Sequence, residues 1–239
     1  MRKILIANWK MNLSVSEGLT YLKALKKNAN EVVIAAPFTF LNDLKKIARQ
    51  KNIKLAAQNV SQFAEGAYTG EASAKMLKEA GCSYCLLGHS ERRIYFQESD
   101  AQINQKIKNL LKYKITPIIC VGETKQQRQK GLTKQVIKAQ LKAALAGIKN
   151  VPLIIAYEPV WAISTFQTGK NIQSASLKDI IAAHNYIRSF VSGKTRVIYG
   201  GTVNPQNSKA ILKLKQVDGA LVGGASLKVS SFNAIIQNT

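Results

Sequence analysis

The chain has 239 residues, 46% hydrophobic and 20% charged, with 35 Lys+Arg against 13 Asp+Glu for a formal net charge of +22. That length suits one large α/β barrel or two small domains, and that apolar content excludes wholesale disorder. No apolar run reaches the roughly 18 residues of a membrane span, three cysteines are too few and too odd in number for a disulfide framework, and the charge excess points to anions without naming one.

The N-terminus, MRKILIANWKMN, opens with charges as a secretory signal does, but its apolar stretch Ile4–Ala7 is too short for a signal core. It reads as a first strand of a cytoplasmic protein. Beyond it stand Asn8, Trp9 and Lys10; alternation puts Asn8 and Lys10 on one side and Trp9 on the other. An amide and an ammonium converging at a strand end suit an oxyanion or phosphate, although a surface lysine beside a helix-entry asparagine explains the pair equally well. Val32–Ala36 is the next apolar run, followed by a helical stripe of Leu41, Leu44, Ile47 and Ala48, and then by Ile53–Ala57.

Cys82 and Cys85 form a C-x-x-C pair entering the run Tyr84–Leu87. Residues three apart on a strand point to opposite faces, so the sulfurs are expected to diverge and pack rather than hold a metal. The strand leads into Gly88-His89-Ser90-Glu91-Arg92-Arg93. A histidine at a strand exit, just before a helix, can stay neutral and donate a hydrogen bond, because a helix N-terminus disfavours its cation. A lone histidine is more often structural.

Ile103, Ile107, Leu110 and Leu111 mark a helix before the run Ile115–Val121, and Lys134, Lys138 and Lys142 recur at i, i+4, i+8 as a solvated helix face. Leu153–Tyr157 ends in Glu158-Pro159. The proline pushes Glu158 toward an extended conformation at the strand terminus, and its apolar sequence neighbours can raise a carboxyl pKa toward that of a base. An ion pair with one of the many lysines is the alternative. Ser176 starts a helix with the stripe Leu177, Ile180, Ile181 and Ile187, on which His184 is expected to be packed. Arg196–Tyr199 runs into Gly200-Gly201-Thr202, and Ala220–Val222 into Gly223-Gly224. Paired glycines let backbone N–H groups approach a ligand, and a short helix start after each pair would favour an anion.

Eight apolar runs alternating with helices call for a parallel sheet of strands buried on both faces, and eight such units in 239 residues favour closure into a (β/α)8 barrel. An open doubly wound sheet is the alternative, but no Gly-x-Gly-x-x-Gly turn follows the first strand. No linker or composition break divides the chain, so residues 1–239 read as a single domain. In a barrel the chemistry belongs where strands end, and the corner after strands seven and eight is the usual phosphate site.

Together NWKMN, GHSERR, AYEPVWAI, YGGTVNP and DGALVGGASL, with QNV, GAYTGE and CVGET between them, resemble the triosephosphate isomerase family from end to end. The resemblance implies a (β/α)8 barrel that interconverts dihydroxyacetone phosphate and D-glyceraldehyde 3-phosphate in glycolysis and gluconeogenesis, with no metal and no cofactor. It implies Glu158 as catalytic base, His89 as the electrophile polarising the carbonyl, Lys10 and Asn8 as donors to the enediolate, and Thr202, Gly223 and Gly224 as phosphate holders. Glu91 would position Lys10, with Ser90 as a further supporting residue. The family is itself a standard example of a neutral histidine beside a glutamate base and of loop closure that excludes water. It also implies a homodimer through the loop Gln58–Glu71, with Tyr68 and Thr69 near the tip.

The sixth loop departs from the family's pattern. It is longer, running Trp161-Ala162-Ile163-Ser164-Thr165-Phe166-Gln167 and on through Thr168-Gly169-Lys170, with Ser164 where the family has the glycine whose N–H caps the phosphate. Serine can offer the same N–H if its backbone needs no positive φ; otherwise Gly169 takes over. Two other functions follow from particular features: a catalytically weakened phosphate-metabolite-binding barrel from the altered loop, and a basic nucleic-acid-binding protein from the charge. No zinc-finger or RNP-type motif supports the last, so a nucleic-acid partner is not expected.

Overall fold

Each strand is apolar on both faces because each face meets a different core. Ile4 and Ile6 point into the barrel with Val33, Ala35, Ile118 and Ile198, whereas Leu5 and Ala7 point outward to a second cluster shared with the helices. The structure, a computed structural model, describes residues 2–26, 29–167 and 174–239. Eight parallel strands close in sequence order: β1 (Ile4–Asn8), β2 (Glu31–Ala36), β3 (Lys54–Ala57), β4 (Cys82–Leu87), β5 (Thr116–Val121), β6 (Ile154–Tyr157), β7 (Arg196–Tyr199) and β8 (Gly219–Val222). All eight apolar runs of the sequence are strands, and the fold is a single-domain (β/α)8 barrel.

The helices of the described residues are α1 (Val15–Ala24), α2 (Leu41–Gln50), α3 (Ala74–Glu79), α4 (Ser90–Tyr95), α5 (Asp100–Lys112), α6 (Lys125–Gln129), α7 (Thr133–Ala144), α8 (Leu177–Arg188), α9 (Ser208–Leu212) and α10 (Val229–Gln237). Several start on capping boxes. Ser14 pairs with Glu17, Ser99 with Gln102, Thr124 with Gln127 and Ser176 with Asp179, each satisfying two of the N–H groups a helix start leaves unpaired. The stripes expected on α2 and α5 face the core. Leu177 is a correction: at the first turn of α8 it is 41% exposed, and the buried stripe is Ile180, Ala183, His184 and Ile187. His184 is fully enclosed, with Nδ1 3.1 Å from the Gln216 carbonyl oxygen, and burial pushes its pKa down to about 4.

A second correction concerns the cysteines. Cys82 and Cys85 do not diverge to opposite faces; both join the outer cluster. The β3–β4 register shifts between Leu55 and Ala56, so Cys82 pairs with Leu55 while Tyr84 pairs with Ala56, and the bulge breaks the alternation that would have separated the sulfurs. Both are free and buried, and burial raises both thiols.

Candidate active site

The carboxyl ends of the strands converge on one mouth. β1 delivers Asn8 and, just beyond it, Lys10, with Trp9 turned away into the outer cluster. Lys10 has φ of 52°, a left-handed conformation that costs a non-glycine residue about 1–3 kcal/mol. It is held by local bonds: its N–H donates to Asn8 Oδ1 at 3.1 Å, and Gln58 Nε2 donates to its carbonyl at 2.8 Å. Its ammonium meets Glu91 Oε1 at 2.6 Å and Thr165 Oγ1 at 2.7 Å.

His89 caps α4. Its Nδ1 accepts the Glu91 backbone N–H at 3.3 Å, which leaves the proton of the neutral ring on Nε2. That Nε2 points at Glu158 Oε1, 3.4 Å away. Glu158 is 2% exposed. Its Oε2 accepts the Ser90 backbone N–H at 3.0 Å, whereas Oε1 has no hydrogen-bond partner. A buried, unsatisfied carboxylate oxygen is costly for the fold, and such groups collect where chemistry needs them.

Two glycines make room for Glu158, one beside its backbone and one beside its side chain. A Cβ on Gly122 would meet the Glu158 carbonyl oxygen at 1.9 Å, and one on Gly200 would meet Glu158 Cγ at 2.8 Å. Cys120 lines a small cavity with Glu158, and its thiol is held well above the usual range by burial and then by the neighbouring carboxylate.

A cavity of about 280 Å³ opens beside them, lined among others by Asn8, Lys10, His89, Ser164, Thr202, Gly223 and Gly224. Gly223 and Gly224 lead into a single 3-10 turn, Gly224–Ser226, whose first N–H groups lack intrahelical partners. After Thr202 the expected helix start is missing. α9 begins only at Ser208, and Asn204 Oδ1 instead accepts the N–H groups of Gln206 and Asn207. Thr202 lines the cavity but spends both donors on one acceptor: its N–H and hydroxyl reach the Ala162 carbonyl at 3.0 and 2.8 Å. Ser164 begins a 3-10 turn, Ser164–Phe166, and is not among the positive-φ residues, so its N–H is presented without strain. Phe166 lies 6.1 Å from the Tyr95 ring. Gly169, the alternative cap, lies outside the described residues.

Some parts of the site have no local sequence signal. Glu123 is fully buried beneath the sixth loop, accepting from Trp161 Nε1 at 2.8 Å and from the Tyr157 hydroxyl at 3.2 Å, while the Arg128 guanidinium lies 4.0 Å over the Trp161 ring. Gln58, Gly122 and Cys120 act through partners distant in sequence. A larger cavity of about 750 Å³ opens beside the starts of β6 and β7, but its Arg196 is already paired with Glu31. No cluster of three or more potential metal ligands occurs among the described residues, and none of their helices is long and apolar enough to cross a membrane.

The family model for triosephosphate isomerase matches residues 3–239. Triosephosphate isomerase of Alkaliphilus metalliredigens is 46% identical over 253 residues, covering 99% of this chain and 100% of that protein. The Aquifex aeolicus enzyme of the same name is 43% identical with complete coverage of both chains. Among solved structures, triosephosphate isomerase from Bartonella henselae superposes with a TM-score of 0.89 at 36% identity, covering 100% of this chain and 99% of the other.

Proposed function

As this chain belongs to the triosephosphate isomerase family and interconverts dihydroxyacetone phosphate and D-glyceraldehyde 3-phosphate, we propose that Glu158 carries the proton between the two carbons and His89 serves the two oxygens. With the triose in the cavity, the Glu158 carboxylate takes a proton from the carbon beside the carbonyl. The electrons move into an enediolate, and Glu158 returns a proton to the neighbouring carbon. His89, donating from Nε2, polarises the carbonyl and moves protons between the oxygens. Lys10 and Asn8 stabilise the charge that develops there, as preorganised donors do in a site closed to water. Hydrogen bonds supply this stabilisation, and the scheme calls on neither metal nor organic cofactor.

The phosphate sits against the N–H groups of Gly223, Gly224 and Ser164. Thr202 contributes through Ala162, tying the base of the sixth loop to the phosphate corner. Glu91 keeps Lys10 aimed at the cavity, and substrate displaces the Thr165 hydroxyl from the ammonium. Ser90 steadies Glu158 through its backbone N–H. The observation that carries this reading is the Glu158 Oε1 atom, buried, without a hydrogen-bond partner and 3.4 Å from His89 Nε2. A coupled assay with glyceraldehyde 3-phosphate on wild type and Glu158→Asp tests it. Withdrawing the carboxylate by one methylene should lower kcat by 100-fold or more with the fold retained; near-normal turnover would remove Glu158 from the role.

The working form in this reading is a cytoplasmic homodimer. Met11 and Phe96, 95% and 65% exposed, rim a cavity of about 270 Å³ that also contains Lys10, His89 and Glu91. The loop Gln58–Glu71, with Tyr68 stacked on Phe63 at 3.8 Å, is the segment that would fill that cavity in the partner. Covering large exposed apolar side chains beside a site is what an obligate interface does.

A further inference from the structure

Between Ala101 and Lys178 the sequence holds thirteen Lys or Arg and two acidic residues, Glu123 and Glu158. Both acids are buried. The described surface of this stretch is therefore cationic without interruption. It is also contiguous, because α5 packs beside α7 and α7 beside both α6 and α8. Lys108 and Lys112 on α5, and Lys134, Lys138 and Lys142 on α7, all face solvent. The acids available nearby are taken by other cations: Asp179 by Arg128 at 3.0 Å, Asp100 by Arg93 at 2.7 Å and Glu98 by Lys106. None of the five lysines has an acidic partner among the described residues, and Lys134 lies 5.6 Å over the Tyr186 ring. Four helical residues rise about 6 Å and turn about 40° past a full revolution, so the α7 lysines form a row about 12 Å long that winds gradually round the helix.

We propose that this outer face of α5, α6, α7 and the start of α8 binds the phosphate backbone of double-stranded nucleic acid without sequence preference. Unpaired like charges in a row raise the local positive potential and attract a polyanion, whose condensed counterions are released on contact. The composition of the face selects among polyanions. Protein interfaces enrich aromatics, Met and Arg and deplete Lys, and this face is built of Lys. Single-stranded nucleic acid needs aromatic platforms for its bases, and a membrane-surface helix needs apolar anchors. Among the described residues most large exposed hydrophobic side chains lie elsewhere; Leu177 and Phe190, the latter packed edge-on against the Tyr186 ring beneath Lys134, stand at the border of the face. Lysines reading only backbone charge suit a duplex, and they need none of the motifs that sequence-specific binders carry. The face is on the helical exterior, away from the barrel mouth, so both activities can coexist.

The test uses the full chain and a fluorescent 20-base-pair duplex, as DNA and as RNA, in anisotropy titrations across salt. Both duplexes should bind, with log affinity falling linearly against log salt. Lys134→Gln/Lys138→Gln/Lys142→Gln should reduce that slope by roughly 2.7, at roughly 0.9 per lost phosphate contact, with isomerase kcat unchanged. A control on the far side of the barrel, Lys23→Gln/Lys46→Gln/Arg49→Gln, should leave the slope nearly intact. The proposal is overturned if the control lowers the slope as much as the α7 variant, if no duplex binds at low salt, or if a single strand or phosphatidylserine vesicles bind more tightly than the duplex.

Discussion

Gly200 offers the sharpest perturbation of the base without replacing any ionisable group. Its φ is not positive, so alanine is tolerated by the backbone, but the new Cβ would stand 2.8 Å from Glu158 Cγ and 3.3 Å from the Tyr157 carbonyl oxygen. Carbon atoms make normal contact at about 3.5–4.0 Å. Something must therefore move by about 1 Å, and the side chain of Glu158 is softer than the strand end behind it. Misplacing a reacting group by about 1 Å costs on the order of 100-fold in rate, or about 2.7 kcal/mol of barrier. Gly200→Ala is expected to lower kcat by that order in the coupled assay, with KM changed little and thermal stability nearly kept. Gly193→Ala, where an added Cβ meets nothing within 4 Å, is the neutral control. Gly122→Ala should differ in kind, because its Cβ would strike the Glu158 backbone oxygen at 1.9 Å and so damage folding. If Gly200→Ala turns over within threefold of wild type, Glu158 is not confined as described.

Other outcomes follow from the same structure. His184, whose pKa burial lowers from 6.5 to about 4, favours the folded state only while neutral. Its contribution is whole above pH 6.5 and is lost as pH falls from about 6.5 to about 4, to a maximum of about 3 kcal/mol. Urea titrations of wild type and His184→Gln should therefore converge in stability over that interval; parallel curves would contradict the burial argument. With a net charge of +22 and an anionic substrate, kcat/KM should fall as ionic strength rises, and a flat salt profile would exclude electrostatic steering. The lengthened sixth loop should close less completely over the enediolate. Methylglyoxal formed per turnover should thus exceed that of a variant carrying the shorter GTGK loop, and equal leakage with equal turnover would dismiss any effect of the insertion.

The barrel was legible in the sequence because its strands are buried on both faces and so read as unbroken apolar runs; all eight runs are strands. Helix starts such as Ser176 were legible because capping chemistry is local. The errors share a cause in longer-range geometry. The alternation rule separates Cys82 from Cys85, but the β3–β4 bulge resets the phase. Glycine pairs suggest a helix start after Thr202, yet the chain there closes an Asn204 turn first. Ala162 takes both Thr202 donors, a contact no spacing rule shows. Polar residues at strand ends such as His89 and Glu158 were visible one by one, but only the folded chain brings Nε2 and Oε1 to 3.4 Å. Gln58, Gly122 and Glu123 fall in the QNV and CVGET segments of the resemblance, but they act through neighbours far away in sequence, so those segments do not show what each residue touches.

Proton transfer by Glu158 is tested most directly by running the reaction in D2O and locating deuterium in the product. A carboxyl that holds the migrating proton can exchange it with solvent before returning it, so product should carry deuterium at the carbon that receives it. Glu158→Gln should abolish both turnover and exchange while remaining folded. Isomerisation without any solvent deuterium in wild type, or undiminished exchange in Glu158→Gln, would contradict the assignment of Glu158 as the base.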